Sequence, residues 1–219
     1  LDAALYGEVQ WRFWSDFQLD AGVRVSTLSA SGSVLYKSHT FFLAEPRAEL
    51  SWRLDHNSRL SVSFNQASQN LHMLSNSSVG LPSDMWLPVN SILKPITMRQ
   101  FSGGYERDLW NKRYTFSVEG YYRKSDGIID YKDNADLFLN NRIEEQVLTG
   151  ESNGYGVECS LAKNSGSITG RISYTYSRSY NRIAGIEEGK QYPSILDRPH
   201  NLKLFLNYAI NPKWDLSST

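Results

Sequence analysis

Histidine is the residue type in this sequence best suited to acid–base chemistry, and the four histidines lie far apart, at His39, His56, His72 and His200. A histidine beside a carboxylate can move protons during a reaction. Asp197 stands three residues before His200, within residues 197–200 (DRPH). This is the one pair that could serve an enzyme. We predict no catalytic residue and keep catalysis by this pair as an alternative.

Metal and cofactor sites have weak sequence support. A calcium site could draw on the segment 126–151, which holds Asp126, Asp130, Tyr131, Asp133 and Asp136. The segment lacks the loop glycine and closing glutamate of an EF-hand, so a solvated loop is the favoured interpretation. Zinc-type spacing and phosphate-binding glycine loops are missing, and a lone Cys159 excludes an internal disulfide. We predict no cofactor.

A second set of candidates could bind a ligand without reacting with it. Between residues 70 and 97, His72, Asp84 and Trp86 occur together. A flat aromatic ring beside polar groups suits a sugar or a siderophore ring; alternatively, Trp86 packs the loop onto its neighbours. Long loops are where binding residues concentrate. The full set of predicted ligand-binding candidates is His72, Asp84, Trp86, Asp130, Tyr131, Asp133 and Tyr192.

The elements that carry these residues are predicted from alternation. In residues 44–54, Leu50 and Trp52 share one face while Glu49 and Arg53 share the other. The same pattern gives about ten strands, most of 10–12 residues, the length of a tilted strand that crosses a membrane. The polar faces carry full charges, which suit a watery lumen better than a packed core.

The connections between these strands alternate in length. Short polar turns are followed by long loops, expected at residues 28–43, 70–97, 126–151 and 180–198. Tryptophan favours the boundary between membrane and water. Five tryptophans lie beside short turns and are predicted to form a belt at one membrane face: Trp11, Trp14, Trp52, Trp110 and Trp214.

Composition agrees with a barrel and disfavours other classes. Twenty-three basic and 23 acidic residues leave no net charge, so no nucleic-acid partner is predicted. No apolar run of about 18 residues is present to form a transmembrane helix. The sequence predicts an all-β antiparallel transmembrane β-barrel segment, with short periplasmic turns and long extracellular loops. A secreted β-sandwich is the alternative. We expect residues 1–219 to be part of a longer polypeptide.

Several stretches resemble the barrel of TonB-dependent outer-membrane receptors, in particular the type with an N-terminal carboxypeptidase-regulatory-like domain. They are residues 60–69 (LSVSFNQASQ), 71–76 (LHMLSN), 82–88 (PSDMWLP), 100–106 (QFSGGYE), 119–124 (EGYYRK), 128–133 (IIDYKD), 154–158 (GYGVE), 173–179 (SYTYSRS) and 197–201 (DRPHN). The resemblance implies a barrel of about 22 strands. It also implies a plug domain and a TonB box, which this sequence does not contain, and further C-terminal strands.

The resemblance implies import of a large, scarce nutrient, a siderophore, haem, cobalamin, glycan or peptide, driven by TonB. The expected partners are outer-membrane lipid, the TonB complex through the absent N-terminal part and the nutrient, and a surface lipoprotein stays open as a further partner. The expected location is the bacterial outer membrane. A passive porin, an adhesin or a barrel with an enzymatic rim stays open as an alternative.

Overall fold

The computed structural model describes residues 2–30, 39–74, 85–133, 135 and 143–219. Two short 3-10 turns, Ile143–Gln146 and Glu187–Gly189, accompany the strands. The strands are β1 (Asp2–Trp14), β2 (Phe17–Ala30), β3 (His39–Arg53), β4 (Ser58–Gln69), β5 (Leu71–Leu74), β6 (Met85–Pro88), β7 (Ile96–Leu109), β8 (Tyr114–Tyr131), β9 (Val147–Lys163), β10 (Ile168–Ile183), β11 (Tyr192–Pro193), β12 (His200–Asn211) and β13 (Trp214–Ser218).

Ten of these strands form one antiparallel sheet in the order β1-β2-β3-β4-β7-β8-β9-β10-β12-β13. The short β11 pairs with the end of β10 that lies near the long loops, and we call this end of each strand its upper part. Strands β5 and β6 form a separate hairpin. The predicted number of about ten strands and the all-β antiparallel class are confirmed. Within the described part of the chain, β1 and β13 do not pair with each other, so the sheet does not close.

One face of the sheet is apolar from edge to edge. Directly opposed residues lie on the same face, and the register joins Leu19 to Leu50 and Leu50 to Val62. Farther along, Leu161 opposes Ile172. This apolar face is uncovered; Leu202, for example, is 67% exposed. Soluble proteins rarely expose so large a patch, and a β-sandwich would bury it under a second sheet.

The other face is charged, and we call it the inner face. Arg24 approaches Glu45 to 3.6 Å, and Arg47 pairs with Glu8. The Arg47–Glu8 pair is largely exposed, so it adds little stability. The charges of these pairs indicate that this face contacts water or a polar partner.

The short turns all lie at one end of the sheet, where backbone hydrogen bonds link neighbouring turns. Arg53 N donates to Asp16 O at 2.7 Å, and Asp108 N donates to Asn57 O at 2.7 Å. Tryptophan side chains are exposed at this end, as the predicted belt requires; Trp110 is 73% exposed. Phe17 stacks on Trp52 with ring centroids 5.4 Å apart. The membrane role of these rings stays a prediction.

Strand length is the point at which the sequence prediction was wrong. The strands β8, β9 and β10 have 18, 17 and 16 residues, against the expected 10–12. The segment predicted as a loop at 126–151 therefore begins and ends with strand, the one at 180–198 begins with strand and contains β11, and the one at 70–97 contains β5 and β6. The upper parts of the long strands carry polar and apolar residues on both faces, so alternation could not reveal them.

Most of the buried apolar side chains lie at the long-loop end, which we call the rim. One cluster joins the β5–β6 hairpin to the upper parts of β8 and β9, and it consists of Leu74, Leu87, Leu93, Ile143 and Val147, with Ile129 and Tyr131 packed against it. The sheet itself has almost no buried apolar core in the described residues; Ala162 is an exception.

Candidate functional site: the two sides of the rim

The upper parts of β8 and β9 have an outer side and an inner side that continue the two faces of the sheet. Val147 lies twelve residues from Cys159 in the same strand, an even number, so it continues the apolar face. Tyr131 opposes Val147, whereas Asp130 opposes Leu148 on the inner side. The neighbouring ligand-binding candidates Asp130 and Tyr131 therefore lie on opposite sides of the rim.

The outer side of the rim holds the β5–β6 hairpin. His72 and Leu87 oppose each other on the buried face of the hairpin. His72 is 0% exposed; its Nε2 lies 2.9 Å from Lys94 O, and its Nδ1 has no partner. Burial lowers the pKa of His72. We infer that His72 helps to build the hairpin and that no ligand can reach it in this conformation.

Trp86 lies on the opposite face of the same hairpin. It opposes Met73, and its side chain is 54% exposed. The packing of this loop onto the rim is made by Leu74 and Leu87 instead. Tyr131 is half-buried against the same cluster on the outer side. Asp133 is exposed just beyond β8, and Asp84 lies outside the described residues.

The inner side of the rim brings two predicted candidates together. The Tyr192 hydroxyl donates a hydrogen bond to Asp130 Oδ2 at 3.0 Å, across 62 residues of sequence. The other carboxylate oxygen accepts from the backbone N–H of Tyr131 at 2.8 Å. Burial, followed by the nearby negative charge of Asp130, raises the pKa of Tyr192 well above its ordinary range. The phenol therefore stays protonated and remains a donor.

Asp197 and His200 do not form a proton-transfer pair. Asp197 accepts from Arg178 Nε at 3.1 Å and from Ser179 N at 2.6 Å. His200 Nδ1 instead lies 2.7 Å from the Tyr174 hydroxyl. These two bonds fasten the loop before β12 to β10, and we call them the Asp197 clamp. The geometry offers no support for catalysis at this pair.

Metal binding likewise has no donor set among the described residues, where no three histidine, cysteine or acidic side chains converge. Asp126 is engaged with Arg99 at 3.4 Å on the outer side, while Asp130 lies on the inner side. Asp136 lies outside the described residues.

A polar row that the sequence analysis missed marks the upper limit of the apolar face. Arg99 Nε donates to Gln66 at 3.0 Å, Arg99 pairs with Asp126, and Lys124 pairs with Glu151 at 2.6 Å. An aromatic row lies directly below, where Phe101 opposes Tyr122 and Tyr122 opposes Tyr155. The sequence does contain these charges at positions that belong to the apolar face. Only the strand register, however, shows that they lie side by side on neighbouring strands.

The height of the apolar face fits a membrane. Tyr114 and Tyr122 bound it in β8 and are eight residues apart. At about 3.4 Å per residue and a tilt of about 40°, this gives roughly 20 Å along the membrane normal. Outer-membrane barrels have an apolar band of about 25 Å with aromatic residues at both edges. No helix among the described residues is long and apolar enough to cross a membrane.

These features define a class: an outer-membrane protein that crosses the lipid with antiparallel strands and holds its loops together at one rim. The sequence model of the family described as TonB dependent receptor-like, beta-barrel, matches residues 2–219. The chain belongs to this family, whose members are outer-membrane receptors and transporters. A search of curated proteins finds no match.

Solved structures share the fold at low sequence identity. The ferric-catecholate import receptor Fiu from E. coli K12 matches 96% of this chain and 32% of its own, with 14% identity and a TM-score of 0.65. The FrpB iron transporter from Neisseria meningitidis matches 99% and 32%, with 14% identity and a TM-score of 0.67. The ferripyoverdine receptor of Pseudomonas aeruginosa matches 96% and 26%, with 14% identity and a TM-score of 0.70. The chain thus spans about a third of these proteins.

Proposed function

We propose that this chain is part of the wall of an outer-membrane receptor that binds a large, scarce nutrient and imports it with energy supplied through TonB. The observation that carries the proposal is the ten-stranded sheet itself, with one uncovered apolar face and one charged inner face. A wall of this kind separates lipid from a polar interior. Membership of the TonB-dependent receptor barrel family supports the same function.

The rest of the proposed receptor is formed by polypeptide outside residues 1–219. We propose that additional strands close the barrel, about 22 in all, and that a plug domain fills its interior. A TonB box at the N-terminal side would transmit force from the inner membrane. The charged inner face, with Arg24, Arg47 and Glu8 exposed along it, is the surface that such a plug would contact.

The proposed nutrient reaches the receptor at the rim. Asp130 and Tyr192 lie on its inner side and are the described candidates best placed to meet a ligand that enters the barrel. His72 and Tyr131 are placed on the outer side, where a ligand bound for the interior would not pass. The class of nutrient stays open among siderophore, haem, cobalamin, glycan and peptide. Ferric siderophores merit testing first because iron-importing proteins share the fold.

The first test asks whether the receptor is a membrane barrel. Outer membranes are isolated, and electrophoretic mobility is compared with and without boiling. We expect the protein in the outer-membrane fraction with a mobility that changes on boiling, because folded barrels resist detergent until heated. A soluble protein whose mobility does not change would contradict the proposal.

The second test separates import from its rivals. Accumulation of labelled nutrient is measured in cells with and without TonB, beside binding at the cell surface. We expect binding in both and accumulation only with TonB. Equal accumulation in both would indicate a passive porin, and binding without accumulation in either would indicate an adhesin.

A further inference from the structure

We propose that the hydrogen bond between Tyr192 and Asp130 is a releasable latch, which holds residues 184–193 as a closed lid over a small apolar subsite on the inner side of the rim. The proposal concerns the resting state of this lid. It rests on the proposed function only for the direction from which a ligand arrives, and its test needs no ligand.

The lid has one firmly fixed end. The segment just before β12 is fastened by the Asp197 clamp, whose side chain is only 8% exposed. Ser177 N donates to Pro199 O at 3.1 Å, and Ser194 N donates to Ser179 O at 2.9 Å. Several buried and backbone bonds would have to break together before this end could move.

The rest of the lid is held by few polar contacts, together with the buried side chain of Ile186, which is 9% exposed. Strand β11 pairs with β10 through only two residue pairs. Arg182 Nε reaches Gly189 O at 3.2 Å, but this bond is exposed to solvent. Among the described residues, the Tyr192 hydroxyl therefore supplies the half-buried side-chain bond that ties the lid to β8, and it also contacts the Asn181 side chain of β10. A hydrogen bond to a charged acceptor is stronger than one between neutral groups, so its loss should shift the lid most.

The backbone of the lid adopts conformations suited to a hinge. Gly185 and Gly189 have φ of +94° and +72°, which glycine adopts without strain. Glu187 and Glu188, between them, also have positive φ, at 46° and 56°. Such conformations cost non-glycine residues free energy, so this segment gains by moving when its anchor is released.

The lid lies against apolar groups of the inner side. Ile183 opposes Gly150 there and is 0% exposed. A Cβ added at Gly185 would lie 2.9 Å from Leu148 Cδ1, which shows how closely the lid approaches the wall. Opening would uncover Ile183 and Leu148 beside the Asp130 carboxylate. This surface fits a ligand with an apolar face and a hydrogen-bond donor or cationic group that replaces the Tyr192 hydroxyl.

The test measures hydrogen–deuterium exchange of peptides covering 184–193 in the receptor purified from outer membranes. Tyr192→Phe keeps the ring and removes the donor, and Asp130→Asn weakens the acceptor. We expect exchange in the lid to rise roughly 10- to 100-fold in Tyr192→Phe, as the loss of one bond to a charged acceptor implies. Peptides at residues 197–200 should be unchanged because the clamp remains.

Matched controls are available in the same chain. Tyr155→Phe alters a tyrosine on the apolar face, and Asp133→Asn alters an exposed carboxylate just beyond β8; neither should change exchange in the lid. Boiling-dependent mobility verifies that each variant is folded. Wild-type exchange in folded Tyr192→Phe and Asp130→Asn would overturn the latch, whatever the outcome of the uptake experiments.

A second measurement tests the subsite beneath the lid. Ile183→Cys is placed in a Cys159→Ser background, and its reaction with a maleimide is timed. We expect slow labelling with Tyr192 present and labelling roughly 10- to 100-fold faster with Tyr192→Phe, in step with exchange. Equal rates in the two backgrounds would show that the lid does not cover Ile183 through this bond.

Discussion

At the scale of single residues, glycines allow strands to carry large side chains on the inner face. Gly156 lies directly under Tyr121, and a Cβ at this position would be 2.8 Å from the Tyr121 ring and 2.8 Å from Tyr176 O. A side chain can move aside, but a backbone carbonyl in a paired strand cannot move without disturbing the pairing. The close packing of Tyr121 therefore depends on the glycine.

Gly156→Ala should consequently destabilise the folded barrel by about 1–3 kcal/mol, the usual cost of overpacking. The measurement is the temperature at which the folded band disappears in electrophoresis. Gly7→Ala is the matched control, because no atom lies within 4 Å of a Cβ at Gly7. An equal loss in both variants would contradict the assignment of the effect to this contact.

Backbone strain at the short turn between β7 and β8 predicts a substitution that stabilises the protein. Trp110, Asn111 and Lys112 have consecutive positive φ values of 49°, 54° and 63°. Lys112→Gly should stabilise the protein by roughly 0.5–1 kcal/mol, because glycine adopts this conformation without strain. Lys213→Gly, in a turn where the lysine does not have positive φ, should give no gain. A lower melting temperature for Lys112→Gly would contradict the argument.

At the scale of elements, a buried imidazole makes the stability of the β5–β6 hairpin depend on pH. His72 in the folded hairpin has a pKa below the ordinary 6.5, because burial disfavours its charged form. The unfolded hairpin therefore binds more protons as the pH falls below about 6.5. Stability present above this pH is lost as the pH falls towards the lowered pKa of the folded state.

Hydrogen exchange in the hairpin, corrected for the intrinsic effect of pH, should consequently be faster at pH 5.5 than at pH 7.5. His72→Leu fills the site with an apolar group and should remove this difference. Peptides of β3, far from the hairpin, serve as the internal reference. A pH effect that persists in His72→Leu would assign it to other groups.

Elements also show which parts of the structure could be predicted from sequence. Where one face meets lipid, alternation is strict, and residues such as Leu202, Leu204 and Leu206 identify the strand. Above the membrane neither face meets lipid, so the upper parts of β8, β9 and β10 have no such pattern. The Tyr192–Asp130 pair escaped prediction for another reason, since its members are 62 residues apart and only the strand order brings them together.

At the scale of the whole molecule, lipid replaces the interior that a soluble protein would have. Leu204→Arg places a charge in the middle of the apolar face and should destabilise the barrel by about 2–4 kcal/mol. Thr169→Arg adds the same charge to the inner face and should be tolerated. The measurement is the folded fraction recovered in lipid vesicles. Equal losses would contradict the assignment of the two faces.

The location of the buried cluster has a consequence for how this sequence can change over time. Lipid chains are fluid and adapt to whichever apolar side chain they meet, so Leu, Ile, Val and Phe should replace one another freely along the apolar face. Leu74, Leu87 and Leu93 meet fixed neighbours and have no such freedom. In this protein, substitution tolerance should be broad within the membrane and narrow in the packed loops, the reverse of the pattern in most water-soluble proteins.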